Sequence, residues 1–240
     1  MTFSSALKWV FLGLLTTVFA VPGTILALLL PRKTLKGKLF LWISKNYSRI
    51  ALFVLGIKVA CRGLENVDIS KSYVFMSNHV SHADSPVLAS VIPHPLHWVF
   101  KKELSRIPVL GWLLITAGQI MVDRSDPEKS RAALGEALAE LSGNNSVMIY
   151  PEGTRSRDGR LQALKKGGFW MALHAGKPIV PVRVSGTRDV VAADTLRIHP
   201  GNVMVELFPP IPTAGKGAQD LPELMDRVRE AMLSGMPGPV

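Results

Sequence analysis

Cysteine is nearly missing from this chain of 240 residues. Cys61 stands alone, which excludes an intramolecular disulfide and a multi-cysteine zinc site and points to a reducing compartment for the folded part. Acidic residues are also short, 18 against 28 Lys and Arg, and the net charge of +10 favours anionic partners: lipid headgroups, nucleic acid or an acidic protein. Aromatics are few, at 7%, and do not interleave with the basic stretches. With no recognised nucleic-acid motif either, nucleic acid is not the expected partner. Internal repeats and low-complexity segments are absent. What is plentiful is apolar side chain, 48% of residues, enough for a sizeable core.

Much of that apolar content is concentrated near the amino terminus. From Trp9 to Leu30 there are 22 consecutive uncharged residues, long enough for a helix to cross a bilayer. Pro22-Gly23 near the middle is expected to kink or break such a helix, so a hairpin held in one leaflet competes with a full span. A secretory signal is a third reading, with Lys8 before the run and Val18-Phe19-Ala20 as a small-residue cleavage site. Against it, Pro22 follows closely and the run continues to Leu30. Arg32, Lys33, Lys36 and Lys38 outnumber Lys8 on the other side, which would hold the following domain on the cytoplasmic face of the inner membrane. Residues Leu39 to Ala60 alternate apolar clusters with Lys45, Arg49 and Lys58, the pattern of an interfacial helix or helix pair, or else of a core helix. We therefore expect membrane-anchoring helices over residues 1–62 and a separate folded domain over 63–240.

Short apolar runs alternate with helical patterns from Ser72 onward. Strands are expected at Tyr73 to Ser77, His97 to Phe100, Gln119 to Val122, Ser146 to Tyr150, Ile179 to Val184 and Val203 to Phe208. Helices are expected near 84–92, 105–117, 127–142, 165–175 and 218–234, with Asp126-Pro127 as a helix start. Such alternation predicts an α/β fold: a single domain with a mostly parallel central sheet flanked by helices.

Two polar islands interrupt this pattern at strand ends. In the first, Asn78 to Asp84, the five-residue step from His79 to Asp84 crosses a strand-to-helix turn, so the carboxylate can fold back onto the imidazole and raise its basicity. A structural turn pair, His82 as the base, and a metal set of His79, His82 and Asp84 are alternatives. In the second, Tyr150 to Ser156, Pro151 fixes the exit from a strand, Gly153 lets backbone amides approach a ligand, and Arg155 offers a fork suited to phosphate oxygens. The alternative is a solvated surface turn. Lys101 and Arg124 stand at equivalent strand ends, which in a parallel sheet share one edge.

These blocks, Asn78-His79 to Asp84, Lys101-Lys102-Glu103-Leu104 with Gly111 and Asp123-Arg124, Tyr150 to Ser156, and Ile179-Val180-Pro181-Val182, stand in the order seen in the glycerolipid acyltransferases. The chain resembles that family from about Ser72 to Thr187, and most of all its bacterial 1-acylglycerol-3-phosphate members. The resemblance implies His79 as general base and Asp84 as its partner. It implies Lys101, Arg124, Glu152, Gly153 and Arg155 as the binding site for the acceptor's glycerol phosphate, and Pro181 on the acyl-donor side. Tyr150 stands where many relatives carry Phe. The implied reaction moves a fatty acyl group from acyl-coenzyme A or acyl carrier protein to lysophosphatidic acid, with no cofactor and no metal, at a membrane. A metal-dependent hydrolase and a non-catalytic module for anionic lipid are the competing functions.

Overall fold

The computed structural model describes residues 3–29, 33–123, 135, 145–192, 195 and 197–234. It opens with two long helices, α1 (Phe3–Leu29) and α2 (Lys33–Leu55). The strands are β1 (Ile57–Arg62), β2 (Val74–Ser77), β3 (Leu96–Lys101), β4 (Ile120–Val122), β5 (Ser146–Ile149), β6 (Ile179–Ser185) and β7 (Gly201–Leu207). Between and after them lie helices α3 (Asp84–Val91), α4 (Leu110–Thr116), α5 (Lys166–Ala175), α6 (Thr187–Val190) and α7 (Leu221–Leu233). The strands form one seven-stranded sheet in the order β1-β7-β6-β2-β5-β3-β4. Every neighbouring pair is parallel except β6 with β7. The expected α/β fold with a mostly parallel sheet is the fold observed.

The central strands are apolar on both faces because both faces are covered. Phe75, Met148, Val180 and Val182 point to one side, where they join Leu52 and Leu55 of α2 and Val87 and Leu88 of α3. Val74, Met76, Val147, Ile149 and Ile179 point to the other, against Phe169 and Ala172 of α5 and Leu224 and Val228 of α7. In α7 the buried positions Leu221, Leu224, Val228 and Met232 recur at helical spacing, so one stripe enters the core.

Three expectations are corrected. The helical reading of Leu39 to Ala60 overruns: α2 stops at Leu55, Gly56 turns the chain with φ of 73°, and β1 follows. Only a glycine adopts that angle without strain, and a Cβ there would lie 3.0 Å from Pro200. The sheet thus draws its first strand from the amino side of residue 62, paired with β7 from Ile57 opposite Gly201 to Arg62 opposite Glu206. The helix expected over 105–117 is split at Pro108 into a short 3-10 turn, Lys102–Arg106, and α4, since proline cannot supply the N–H a continuous helix needs. Pro22, by contrast, does not break α1. Contacts on both sides hold that helix together across the missing bond: Ala20 packs with Phe40, Leu113 and Ala117, and a Cβ on Gly23 would lie 2.5 Å from Ile43. Of the expected helix at 127–142 only Gly135, which is helical, is among the described residues, and the tail after Ser234 lies outside them.

The pairs Thr16–Tyr47, Phe19–Trp42 and Gly23–Ile43 show α1 and α2 running antiparallel. Along its inner face α1 also meets the α/β layer, with Ser5 Oγ accepting from the Ile198 N–H at 3.1 Å and Trp9 reaching His82. Its other face leaves Leu7, Val10, Leu14, Val18, Val21, Ile25 and Leu28 exposed, three or four residues apart. It is the one helix among the described residues long and apolar enough to cross a membrane.

Leu224 sits in the layer between sheet and α7 with no exposed surface. Leu224→Ala should cost about 2–5 kcal/mol through lost burial and the cavity left behind. A thermal unfolding midpoint within a degree or two of wild type would contradict this account of the core.

Candidate active site

β2 and β5 pair in parallel, with Met76 opposite Ile149, so the segments leaving Ser77 and Ile149 emerge side by side. In open α/β sheets this is the edge where ligands collect. Asn78, Ser81, Asp84, Glu152 and Ser156 are all buried here, where polar atoms need partners, and among the described residues only Asp84 Oδ1 of this group is left without one. Asn78 finds its partners through its side-chain amide. It donates to the Val184 carbonyl at 2.9 Å and accepts from the Val184 N–H at 2.8 Å, fastening the first turn to β6.

Asp84 closes that turn. Its Oδ2 accepts from His79 Nδ1 at 2.8 Å and from the backbone N–H groups of Val80 and Ser81 at 2.8 and 2.9 Å. Because Oδ2 already accepts from two backbone N–H groups, the His79 bond runs from Nδ1–H to the carboxylate, and in the neutral imidazole Nε2 then keeps its lone pair. The carboxylate is fully buried while the imidazole is 19% exposed, leaving the ring open to a substrate.

The second turn is tied to the first through backbone groups. Glu152 Oε1 accepts from the His79 N–H at 2.7 Å, and its Oε2 accepts from the Gln162 N–H at 2.9 Å. The Ser156 N–H donates to the His79 carbonyl at 2.8 Å. Burial pushes the Glu152 carboxyl above its usual range, although both backbone bonds oppose the shift. Gly153 turns with φ of 76°, and its N–H donates to the Tyr150 carbonyl at 3.0 Å.

Side chains complete the connection. The Tyr150 ring stacks on the His79 imidazole, centroids 3.8 Å apart and planes 11° from parallel, and its hydroxyl meets Ser85 Oγ at 3.0 Å. Arg155 donates from its guanidinium to His82 Nδ1, which must therefore be unprotonated. Trp9 of α1 meets the His82 ring edge-on at 6.3 Å, so the amino-terminal helix reaches the site. Arg155 and Arg157, with Thr154, Asp158 and Gln162, line an open cleft of about 700 Å³. Two guanidinium groups in one cleft favour an anion.

The structure thus brings together His79, Asp84, Glu152, Gly153 and Arg155. The resemblance implies Glu152 in the acceptor site; in the structure each of its oxygens also accepts one backbone N–H, which makes it a brace between the turns. Lys101 ends β3, one strand beyond β5 on the same edge, and is exposed, while its neighbour Lys102 pairs with Asp123 at 3.0 Å. Arg124 lies outside the described residues. His82 faces Arg155 rather than Asp84, unlike the alternative base reading, and the two histidines direct Nδ1 to different partners. Sequence reasoning missed Ser85, Gln162 and Trp9 as site residues. Ser85 had a legible signal, a hydroxyl beside Asp84, but Trp9 lies 73 positions from His82 and had none.

An imidazole oriented by a carboxylate beside an arginine-lined cleft defines a site that can take a proton from a nucleophile on an anionic molecule. The Acyltransferase family model matches residues 58–185. The 1-acyl-sn-glycerol-3-phosphate acyltransferase of Limnanthes douglasii is 31% identical over 216 residues, covering 90% of this chain and 76% of that protein. The enzyme of the same name from Escherichia coli K12 is 30% identical over 229 residues, covering 93% and 91%. The crystal structure of the 1-acyl-sn-glycerophosphate acyltransferase PlsC of Thermotoga maritima shares the fold, with a TM-score of 0.81 over 97% of this chain and 94% of that one, at 24% identity. The chain belongs to the acyltransferase family, as the order of its motif blocks implied, and is an enzyme.

Glu152→Ala would leave the partly buried N–H groups of His79 and Gln162 without their acceptor. The expected loss is about 2 kcal/mol of stability, read from denaturant unfolding; a loss under about 0.5 kcal/mol, as for an ordinary surface change, would remove Glu152 as a brace.

Proposed function

We propose that the protein transfers a fatty acyl group from a thioester, on coenzyme A or acyl carrier protein, to the sn-2 hydroxyl of 1-acyl-sn-glycerol 3-phosphate, making phosphatidic acid. The observation that carries this reading is the bond from His79 Nδ1 to the buried Asp84 carboxylate at 2.8 Å, beside the arginine turn. His79 Nε2 takes the hydroxyl proton as the oxygen attacks the thioester carbonyl carbon. The carbon–sulfur bond then breaks, and the departing thiolate receives the proton from the imidazolium. Asp84 stabilises the imidazolium while it lasts. Because the acceptor brings its own nucleophile and a thiolate leaves readily, the scheme uses neither a covalent acyl-enzyme nor a metal. Positioning supplies much of the rate. Arg155, held by His82, binds the acceptor phosphate, with Gly153 allowing close approach and Lys101 and Arg124 as further cationic contributors from the same edge.

The amino-terminal helices serve the same reaction. An acceptor with one acyl tail resides in a bilayer, and the exposed apolar stripe of α1 suits burial among lipid chains, worth roughly 1.5–3 kcal/mol for each fully buried side chain. Since the opposite face of α1 is committed to α2, α4 and the α/β layer, we read the hairpin as lying in one leaflet, on the cytoplasmic side, with the basic surface attracting anionic headgroups. That surface also suits an acidic carrier protein as donor.

Acyl transfer to lysophosphatidic acid from each donor, in detergent with chelator present, tests the reaction. His79→Ala should lower kcat by about 100- to 10,000-fold, in protein with a wild-type unfolding midpoint. Full turnover in that variant would remove His79 from the mechanism and favour a lipid-binding module, while turnover only with other lysolipids would change the acceptor. Arg155→Ala should raise the acceptor KM by about tenfold or more, the loss of a charge-assisted bond, with a smaller effect on donor KM. For membrane attachment, Leu14→Glu with Val18→Glu should move the protein from the membrane to the soluble fraction. Undiminished sedimentation with membranes would overturn the assignment of that face.

A further inference from the structure

The mechanism above uses only one side of the His79 imidazole. Its edge faces Asp84, but its flat face is covered by Tyr150, 3.8 Å away and 11° from parallel. An aromatic ring in that geometry blocks rotation of the imidazole out of line with the carboxylate. Its π-face also attracts the ring when it becomes a cation. Tyr150 is itself fixed at both ends. Its hydroxyl meets Ser85 Oγ at 3.0 Å, in the residue after Asp84, and Trp98 lies 6.4 Å from its ring on β3. Its backbone carbonyl receives the Gly153 N–H, so the stack and the arginine turn share an anchor.

We propose that Tyr150 is a positioning residue for His79: its ring holds the imidazole against Asp84 and stabilises the imidazolium formed during transfer, while the bond to Ser85 sets the ring's angle. This rests on His79 being the base. Other charged or titratable groups stand by that residue: Asp84 from α3 at its ring and Glu152 from the facing turn at its N–H, with the Arg155–His82 pair linking the same two turns. All of them stay in place in the variants below, so a change in His79 titration is assignable to the ring. Desolvation holds the Tyr150 phenol well above its usual range, so it stays neutral across the working pH and contributes as a ring and a hydroxyl only.

The test compares kcat, acceptor KM and their pH profiles for wild type, Tyr150→Phe, Ser85→Ala and Tyr150→Leu in the full-length protein. Tyr150→Leu should lower kcat about tenfold or more, leave acceptor KM within about twofold, and move the acid limb of the kcat profile down by about half a pH unit or more, because the imidazolium has lost the π-face. Tyr150→Phe restores the ring and should keep the wild-type acid limb with kcat within about threefold, as should Ser85→Ala, at the scale of one lost neutral hydrogen bond. A Tyr150→Leu enzyme with wild-type kcat and acid limb would overturn the proposal. Equal losses in Tyr150→Phe and Tyr150→Leu would overturn it too, by moving the effect to the hydroxyl. If Tyr150→Leu does not fold, the wild-type protein decides: stacking requires an upfield ring-current shift of the His79 carbon-bound protons in its NMR spectrum, and its absence refutes the stack. An active His79→Ala would instead refute the base reading beneath it, a result separable from an inert Tyr150→Leu in an enzyme that His79→Ala silences.

Discussion

The parallel pairing of β2 with β5 fixes where two otherwise unrelated turns meet. Val74 lies opposite Val147 and Met76 opposite Ile149, so both strands end at the same height and release their chains into the same space. A slip of one residue would turn each strand's apolar side chains to the wrong face, and both faces are packed against helices. The cost of such a slip locks the register, and the register sets the distance between His79 and the turn that carries Arg155. Glu152, Ser156 and Tyr150 can reach His79 only because the sheet has already brought their strands into line.

Within that frame the site is held by carboxylates that bond backbone amides. Asp84 gathers three N–H donors on one oxygen, one from the imidazole and two from the turn it closes. A single buried charge therefore shapes the loop and fixes the tautomer of the candidate base together. Glu152 does comparable work between the turns, and the upward push on its carboxyl reflects the burial that this bracing demands. Neither carboxylate could be withdrawn from its amides without stranding N–H groups, and that penalty keeps a partly exposed imidazole in one orientation.

The amino-terminal hairpin connects this centre to the surface on which a lipid acceptor would arrive. Its small residues, Ala20, Gly23 and Ala27, lie inward and its long aliphatic residues outward, so the same helix serves as packing for the domain and as an apolar exterior. Through Trp9 it also touches His82 and hence Arg155. The helices are thus continuous with the fold, and the first strand of the sheet follows α2 after a single glycine.

Much of this was legible in residue order because it depends on local pattern. Alternating apolar runs gave six of the strands, the step from His79 to Asp84 gave the imidazole–carboxylate pair, and Pro151, Gly153 and Arg155 gave an anion-favouring turn. β1 was not legible: the apolar residues Ile57, Val59, Ala60 and Cys61 read on from the apolar helix before them, and only pairing with β7, some 140 residues away, makes this segment a strand. The bracing role of Glu152 was likewise not legible, since nothing in its neighbourhood reveals that the His79 and Gln162 amides each bond one of its oxygens. The chain by itself determined which segments become strands and helices, which residues can accept a proton or hold an anion, and which stretch is apolar enough for lipid, because these follow from side-chain chemistry and short-range spacing. Tertiary structure alone decided that Tyr150 lies flat on His79, that Arg155 leans on His82 and that Trp9 stands behind them, because those contacts join strand ends and a helix whose separation in space is set by sheet register and packing.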